Sequence, residues 1–303
     1  MKRDYSLFGL LSGVIFCFLL FLSSSSKGSD DKVEVAISNN LPQQIRAVNL
    51  DKAFTYCNEL LPNDFDVRER LDRELLVNSY WQSNTVLSIK RANRYFPIIE
   101  RIFNEQGIPA DMKYLAVAES NLTNAVSPAK AKGVWQFMKP TAKEYGLEVN
   151  DEVDERYHLE RSTLAAAKYL KYLRNRFGTW IDAAAAYNVG PTRYARTIKN
   201  QGGTYFDLNL NSETSRYVFR LVAIKEILSN PQDFGFYIEP NELYPPLDNN
   251  VITIDISESV TDWSAFARQH GVSYRTLKIY NPWLVDRKLT VKNNRYQVKI
   301  PRR

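Results

Sequence analysis

Helical periodicity, broken repeatedly by Gly and Pro, is the feature that most narrows the folds open to this chain. Val67, Leu71 and Leu75 recur at four-residue spacing, and Ile98, Ile102 and Phe103 continue the pattern beyond Pro97. Gly107-Ile108-Pro109 ends that run and sets Pro109 at the start of a new helix, Ala110 to about Ser120. Further helices are predicted over Leu164 to Phe177, stopped by Gly178, and over Trp180 to Tyr187, stopped by Gly190-Pro191. A last one runs from Glu213 to Leu228, with Glu213, Tyr217, Leu221, Ile224 and Leu228 on one stripe. Repeated short amphipathic helices imply a mainly α domain around one core.

The pattern changes after residue 235. Gly235 to Asn250 contains Pro240, Pro245 and Pro246 and has no helical period, which reads as a linker. Val251 to Ile256 then alternates like a strand, Trp263 to Gln269 and Tyr274 to Tyr280 look helical, and Tyr296 to Pro301 alternates again. Strand, helix, helix, strand in so short a stretch is a compact α+β module.

At the other end, Lys2 and Arg3 precede an apolar stretch from Leu7 to Leu22, followed by Ser23 to Ser26. That order is the pattern of a secretory signal, and the stretch is shorter than the about 20 residues of a bilayer span. Residues 1–26 are therefore expected to be a signal peptide, with a retained membrane anchor as the alternative. Residues 27–65 are expected to be a tether, followed by a catalytic domain over 66–235, the linker 236–250 and the module 251–303. Cys17 follows the bulky Phe16, which disfavours lipidation. Cleavage would leave Cys57 as the only thiol, without an internal disulfide partner. With two His, that gives no basis for a zinc site. No phosphate-binding Gly-x-x-x-x-Gly-Lys loop occurs, and no cofactor is expected. The net charge is +6, but Lys and Arg are scattered, so nucleic acid is not favoured as a partner. The sequence specifies no oligomeric state.

The chemistry-bearing position lies on the helix from Ala110. Met112, Leu115 and Glu119 share a face, so a carboxyl sits on an apolar surface near a helix C-terminus. Desolvation and the negative end of the helix dipole both disfavour the ionised form and raise its pKa. Such a Glu can hold a proton near neutral pH and deliver it to a leaving oxygen. The competing reading is a carboxyl at the core edge, paired with Arg or Lys.

The neighbouring residues weigh on that choice. Ala118-Glu119-Ser120-Asn121-Leu122 is followed by Ser127-Pro128 and then by Gly133-Val134-Trp135-Gln136-Phe137-Met138-Lys139-Pro140. Later come Ala186-Tyr187-Asn188 and Glu213-Thr214 with Arg216-Tyr217-Val218. Across residues 90–235 these motifs resemble, in order, the goose-lysozyme-like catalytic domain of soluble lytic transglycosylases. Within that group the pattern is similar to the D type of membrane-bound lytic murein transglycosylase. The resemblance implies a lysozyme-like helical fold with a sugar-binding groove. It implies cleavage of the β-1,4 bond between N-acetylmuramic acid and N-acetylglucosamine in peptidoglycan strands.

By the same resemblance, Glu119 is the catalytic residue. It would protonate the glycosidic oxygen and then accept the proton of the muramic C6 hydroxyl, leaving a 1,6-anhydromuramoyl end. Ordinary glycosidases use two carboxyls roughly 5–9.5 Å apart; here the substrate's acetamido group would stand in for the second. Ser127 is implied to bond the acetamido group or the Glu119 carboxyl. Gln136 and Met138 would line the cleft floor, with Trp135 either in the core or stacked on sugar. Tyr187 would orient the acetamido group or the carboxyl through its hydroxyl. Asn188 would cap its helix and shape the cleft wall. Glu213 would be a buried carboxylate behind the acid, a sugar ligand, or a cap on its own helix. The chain departs from the pattern at Ala129 to Lys132 and at Gly190-Pro191-Thr192, which bears on loop shape. Lys132 would face anionic muramoyl peptides or solvent.

Val251 to Pro301 resembles a diverged LysM domain through Phe266-Ala267, His270-Gly271-Val272-Ser273, Tyr280-Asn281-Pro282 and Val298-Lys299-Ile300-Pro301. LysM modules bind N-acetylglucosamine-containing glycans, so this one would tether the enzyme to its polymer. The usual Gly-Asp-Thr-Leu turn is replaced by Ser257 to Trp263, which leaves a purely structural module as the rival. The alternatives to a transglycosylase are a muramidase on the same fold and a non-catalytic wall-binding protein. The expected location is the periplasm or cell envelope.

Overall fold

The computed structural model describes residues 46–247 and 250–302. The expected signal or anchor, and the tether up to residue 45, lie outside the described residues. Among those described, no helix is long and apolar enough to cross a membrane.

A small antiparallel hairpin opens the fold, β1 (Thr55–Tyr56) paired with β2 (Glu59–Leu60). Here the expected tether is corrected. Phe54, Tyr56, Cys57 and Leu61 are all buried in the main core. The hairpin is tied down by Tyr56, whose hydroxyl donates to the Asp111 carbonyl at 3.1 Å, and by the Cys57 amide, which donates to the Asp111 carboxylate at 2.9 Å. A segment this short shows no periodicity, so its burial was invisible in sequence. Burial also pushes the Cys57 thiol well above its ordinary range, which makes it an inert packing residue.

Helix α1 (Phe65–Tyr80) begins where Asp64 caps it, accepting from Val67 N at 3.0 Å. Helix α2 (Gln82–Glu105) follows after a break at Trp81 and runs through Pro97. A 3₁₀ turn at Ala110–Lys113 leads into the short α3 (Tyr114–Ser120). Helices α4 (Lys139–Glu144), α5 (Leu159–Phe177), α6 (Trp180–Val189), α7 (Pro191–Gln201) and α8 (Ser212–Ser229) complete the helical part. The stops read from sequence operate as expected: Gly178 ends α5 with φ of 90°.

The alanine run of α6 lies at the centre. Ala183 to Ala186 are all fully buried, and their small side chains let α5, α7 and α8 pack closely on them. Trp135 is also fully buried, with its indole N–H donating to Thr163 Oγ1 at 3.0 Å, so of its two expected roles it fills the core one.

The stretch expected as a free linker is instead a strap fixed to α2. Phe236 is buried, the Tyr244 amide donates to the Lys90 carbonyl at 3.2 Å, and Arg94 Nε donates to the Pro245 carbonyl at 3.0 Å. Lys90 and Arg94 also lie over the Tyr244 ring, at 5.5 and 5.2 Å from its centroid. Prolines remove periodicity without removing adhesion, and these contacts are made by side chains far away in sequence.

The C-terminal module follows the predicted order: β3 (Val251–Ile256), α9 (Trp263–Gln269), α10 (Tyr274–Tyr280) and β4 (Tyr296–Pro301). The strands pair antiparallel with Ile254 opposite Val298. Its core contains Trp263, Leu277 and Trp283, and also Val153 from the helical part. The docking is built from backbone as well as side chains. The Asp154 amide donates to the Trp283 carbonyl at 2.9 Å, and the Val285 amide to the Glu152 carbonyl at 3.0 Å. Lys299 pairs with Glu160, and the His158 ring stacks on Trp283 with centroids 5.7 Å apart.

Candidate active site

Glu119 is the penultimate residue of α3, and the two residues after it set its position. Ser120 is buried and its hydroxyl donates to the Val134 carbonyl at 2.8 Å. Asn121 turns the chain with φ of 51° in the left-handed region, which Asn tolerates better than most residues. Its side-chain amide donates to Asn84 Oδ1 at 2.6 Å, its Oδ1 accepts from Ser88, and its carbonyl accepts from Arg91 at 3.2 Å. The end of α3 is thereby fastened to α2 on one side and to the 133–137 turn on the other.

The Glu119 carboxyl accepts a hydrogen bond of 2.5 Å from the Tyr217 hydroxyl. Its pKa is pushed up to about 7. Desolvation is the largest cause; the Tyr217 bond opposes it, the Glu213 charge adds to it, and the Arg220 charge works against it. Burial holds the hydroxyls of Tyr217 and Tyr187 protonated well beyond their ordinary range. The acid therefore has one neutral donor, Tyr217, with one cation and one carboxylate acting on it.

The residues singled out from sequence divide into groups. Tyr187 on α6 lies close enough for the Glu119 charge to act on it, but its hydroxyl donates to the Trp135 carbonyl at 2.7 Å. It holds the 133–137 turn, and the carboxyl is gripped by Tyr217 instead. Gln136 adopts φ of 48°, and its amide donates to the carbonyls of Gly133 at 2.7 Å and Ala125 at 3.1 Å. Its N–H groups brace the loop. Ser127 accepts from the Ala131 amide at 3.0 Å and closes the preceding turn. Met138 is exposed at the start of α4 and is free to contact a ligand.

Asn188 is not a cap. Its amide donates to Glu213 at 3.2 Å, and its Oδ1 accepts from Thr214 Oγ1 at 3.0 Å, which joins α6 to the start of α8. Glu213 is exposed, not buried, and it does not cap α8 with its side chain; Asn211 does so, accepting from Glu213 N and Thr214 N at 3.1 Å each. Lys132 lies 3.4 Å from Asp154 and over the Tyr157 ring, so it is engaged with the protein.

Tyr217 and Arg220 are the functional residues that sequence reasoning missed. The stripe through Glu213, Tyr217 and Leu221 put Tyr217 on the right helix face, but nothing local tied that face to α3.

Two clefts open on this surface. One, about 830 Å³, borders α3 at Val117 and Ala118 and lies between α1, α2 and α8. The other, about 710 Å³, lies where α2 and the start of α5 meet the C-terminal module. Among the described residues no group of His, Cys, Asp and Glu is arranged to hold a metal ion.

A desolvated carboxyl with a raised pKa, held by a tyrosine hydroxyl at the end of a short helix in a mainly helical domain, is a glycosidase-like arrangement, and the comparisons with known proteins fall in that class. Residues 97–209 match the transglycosylase SLT domain, and residues 252–303 match the soluble lytic transglycosylase C-terminal LysM-like domain. The chain thus matches both of these lytic transglycosylase domains, in that order. It is 27% identical over 252 residues to the membrane-bound lytic murein transglycosylase D of Escherichia coli K12, covering 80% of this chain and 53% of that protein. The same figures hold for the protein of that name from Escherichia coli O6:H1. The chain thus spans about half the length of the curated relatives it matches. A solved structure, the 70 kDa soluble lytic transglycosylase of Escherichia coli, aligns with a TM-score of 0.41 and 20% identity, over 58% of this chain and 33% of that one.

Proposed function

We propose that this chain is a lytic transglycosylase of the cell envelope, cleaving the β-1,4 bond between N-acetylmuramic acid and N-acetylglucosamine in peptidoglycan. Glu119 is its acid and then its base. The observation that carries the reading is the Glu119 carboxyl, raised to about 7 and held by Tyr217 beside an open cleft. At neutral pH a substantial share of it carries a proton, as an acid catalyst requires.

The proton passes from Glu119 to the glycosidic oxygen as the bond to C1 breaks and the N-acetylglucosamine portion leaves. The acetamido oxygen of the muramic residue attacks C1 and holds the developing charge. Its C6 hydroxyl then displaces that oxygen, and its proton returns to Glu119. The acid is regenerated, no water is consumed, and the product is a 1,6-anhydromuramoyl end. Burial serves both halves, because a group with pKa near the working pH gives and takes a proton with comparable ease. The E. coli relatives, named as murein transglycosylases, support the choice of polymer.

The test is mass spectrometry of purified peptidoglycan digested with the wild type and with Glu119→Gln. Anhydro ends from the wild type and none from the variant are expected. Reducing ends would instead mean hydrolysis, and sacculi bound without release of fragments would remove the enzymatic reading.

A further inference from the structure

Three residues of α8 reach toward the acid and toward α1. Tyr217 grips Glu119, while Arg216 and Arg220 turn to Glu74 of α1. Glu74 is fully buried, and its Oε1 accepts from Arg73 at 2.5 Å and from Arg216 Nε at 2.6 Å. Its Oε2 stands 3.7 Å from Arg220 Nε. Both arginines of α8 are thus engaged through Nε, the guanidinium nitrogen nearest the main chain, which fixes the direction of each side chain. Burying a charge is costly even when it is paired, so an apolar residue would serve packing here as well. Arg220 is the cation whose charge acts on Glu119 and favours its ionised form, against the burial that keeps the acid protonated. Both arginines line the cleft together with Val117 and Ala118 of α3, and they are a third and a quarter exposed there. There is therefore open space on the α3 side into which an unanchored guanidinium can swing. The other groups around α3 do not compete for this role. Tyr217 and Tyr187 are neutral, Glu213 is an exposed carboxylate, Arg91 of α2 donates to the Asn121 carbonyl, and Lys225 of α8 pairs with Asp111.

We infer that Glu74 is a positioning residue for the reaction: by anchoring Arg216 and Arg220 against α1, it keeps the Arg220 guanidinium from closing on the Glu119 carboxyl. It acts through Arg220 and touches no reacting atom. A guanidinium paired closely with a carboxyl lowers that carboxyl's pKa by about one to three pH units, which would leave the acid ionised at neutral pH. The inference rests on the reading of Glu119 as the catalytic acid and adds to it the part of the fold that keeps the proton in place.

The experiment uses two readouts on the full chain. One is the pH–rate profile on purified peptidoglycan. The other is the titration of the Glu119 carboxyl by carbon NMR, its resonance identified by its loss in Glu119→Gln. Glu74→Gln keeps the size of the side chain and removes its charge. It is expected to move the Glu119 titration, and the decline of turnover with it, about one pH unit lower. Turnover at pH 7 then falls about fivefold, and the loss narrows toward pH 5. Arg220→Gln is expected to move both curves upward, and the double variant to follow Arg220→Gln alone. Glu74→Asp keeps the charge but draws the carboxylate back by one methylene, so it should give a smaller downward shift; it carries the test if thermal melts show Glu74→Gln unfolded. A Glu119 titration that neither Glu74 variant moves overturns the inference. A downward shift of equal size in the Arg220→Gln background also overturns it, because Glu74 would then act by its own field. The titration needs no turnover, and product analysis of Glu119→Gln tests the enzymatic reading separately, so failure of one is distinguishable from failure of the other.

Discussion

On the proposed reading, Glu119 couples catalysis to stability. Its pKa in the fold, about 7, lies above its ordinary value of 4.5, so the folded state holds the proton more tightly than the unfolded chain. The stability that goes with it is complete below about pH 4.5 and is lost as pH rises through about 7. Glu119→Gln keeps an oxygen for Tyr217 and never ionises. Its stability should therefore gain on the wild type between pH 5 and pH 8, by about 1 kcal/mol or more at the upper end, read as a higher melting temperature. Parallel melting curves across that range would contradict the raised pKa. Turnover of the wild type should decline as pH rises through about 7, because the acid form is lost. Tyr217 donates to the charged form and holds the pKa down, so Tyr217→Phe should move that decline to higher pH. The same variant should lose about tenfold or more in turnover through loss of orientation. A pH–rate profile of the two proteins reads both effects.

At the scale of elements, the loop from Ala125 to Phe137 is shaped by close backbone contacts. Gly133 has φ of 80°, and a Cβ there would lie 1.9 Å from the Arg156 carbonyl oxygen. Arg156 in turn donates to the carbonyls of Lys130 at 3.3 Å and Phe137 at 3.2 Å while pairing with Asp154 at 2.7 Å. Gly133→Ala must push these two segments apart, at an expected cost above about 3 kcal/mol. Gly178 shares the positive φ but has open space where its Cβ would be, so Gly178→Ala should cost only about 1 kcal/mol. Chemical denaturation of the pair separates conformational strain from steric collision. Activity should fall with Gly133→Ala alone, because that turn carries the Val134 and Trp135 carbonyls that hold Ser120 and Tyr187.

For the whole molecule, the C-terminal module is a supporting part of the helical domain. Val153 fills its core, Glu160 pairs with Lys299, and the next turn of the same segment carries Arg156 to the active-site loop. Ending the chain at Leu247 would expose Val153 and leave Glu160 without Lys299. The truncated protein should melt about 5 °C or more below the full chain, with lower turnover on soluble fragments that need no wall tethering. A module that served only to bind polymer would leave both values unchanged. The Glu160 carboxyl is held well below its ordinary range by His158 and Lys299. Its contribution to docking is present above about pH 4.5 and weakens as pH falls below that, so the melting difference between full and truncated chains should narrow in acid.

The helices and strands were legible because their period is local. The Gly and Pro stops ended α5, α6 and α8 close to where the sequence placed them, α7 was not read, and α9, α10 and β4 have the limits that periodicity predicted. Glu119 was legible too, since its spacing from Met112 and Leu115 alone put a carboxyl on an apolar face. By itself, then, the sequence determined the longer helices, the order of the C-terminal module and the helix that carries Glu119. Only tertiary structure decided what grips that acid, because Tyr217 arrives from a helix almost a hundred residues away. It also decided that the hairpin at Thr55 and the strap at Tyr244 are built in, and that the module is docked. Those outcomes depend on backbone hydrogen bonds and side-chain pairings between distant segments, and neither leaves a periodic trace in the segment that takes part.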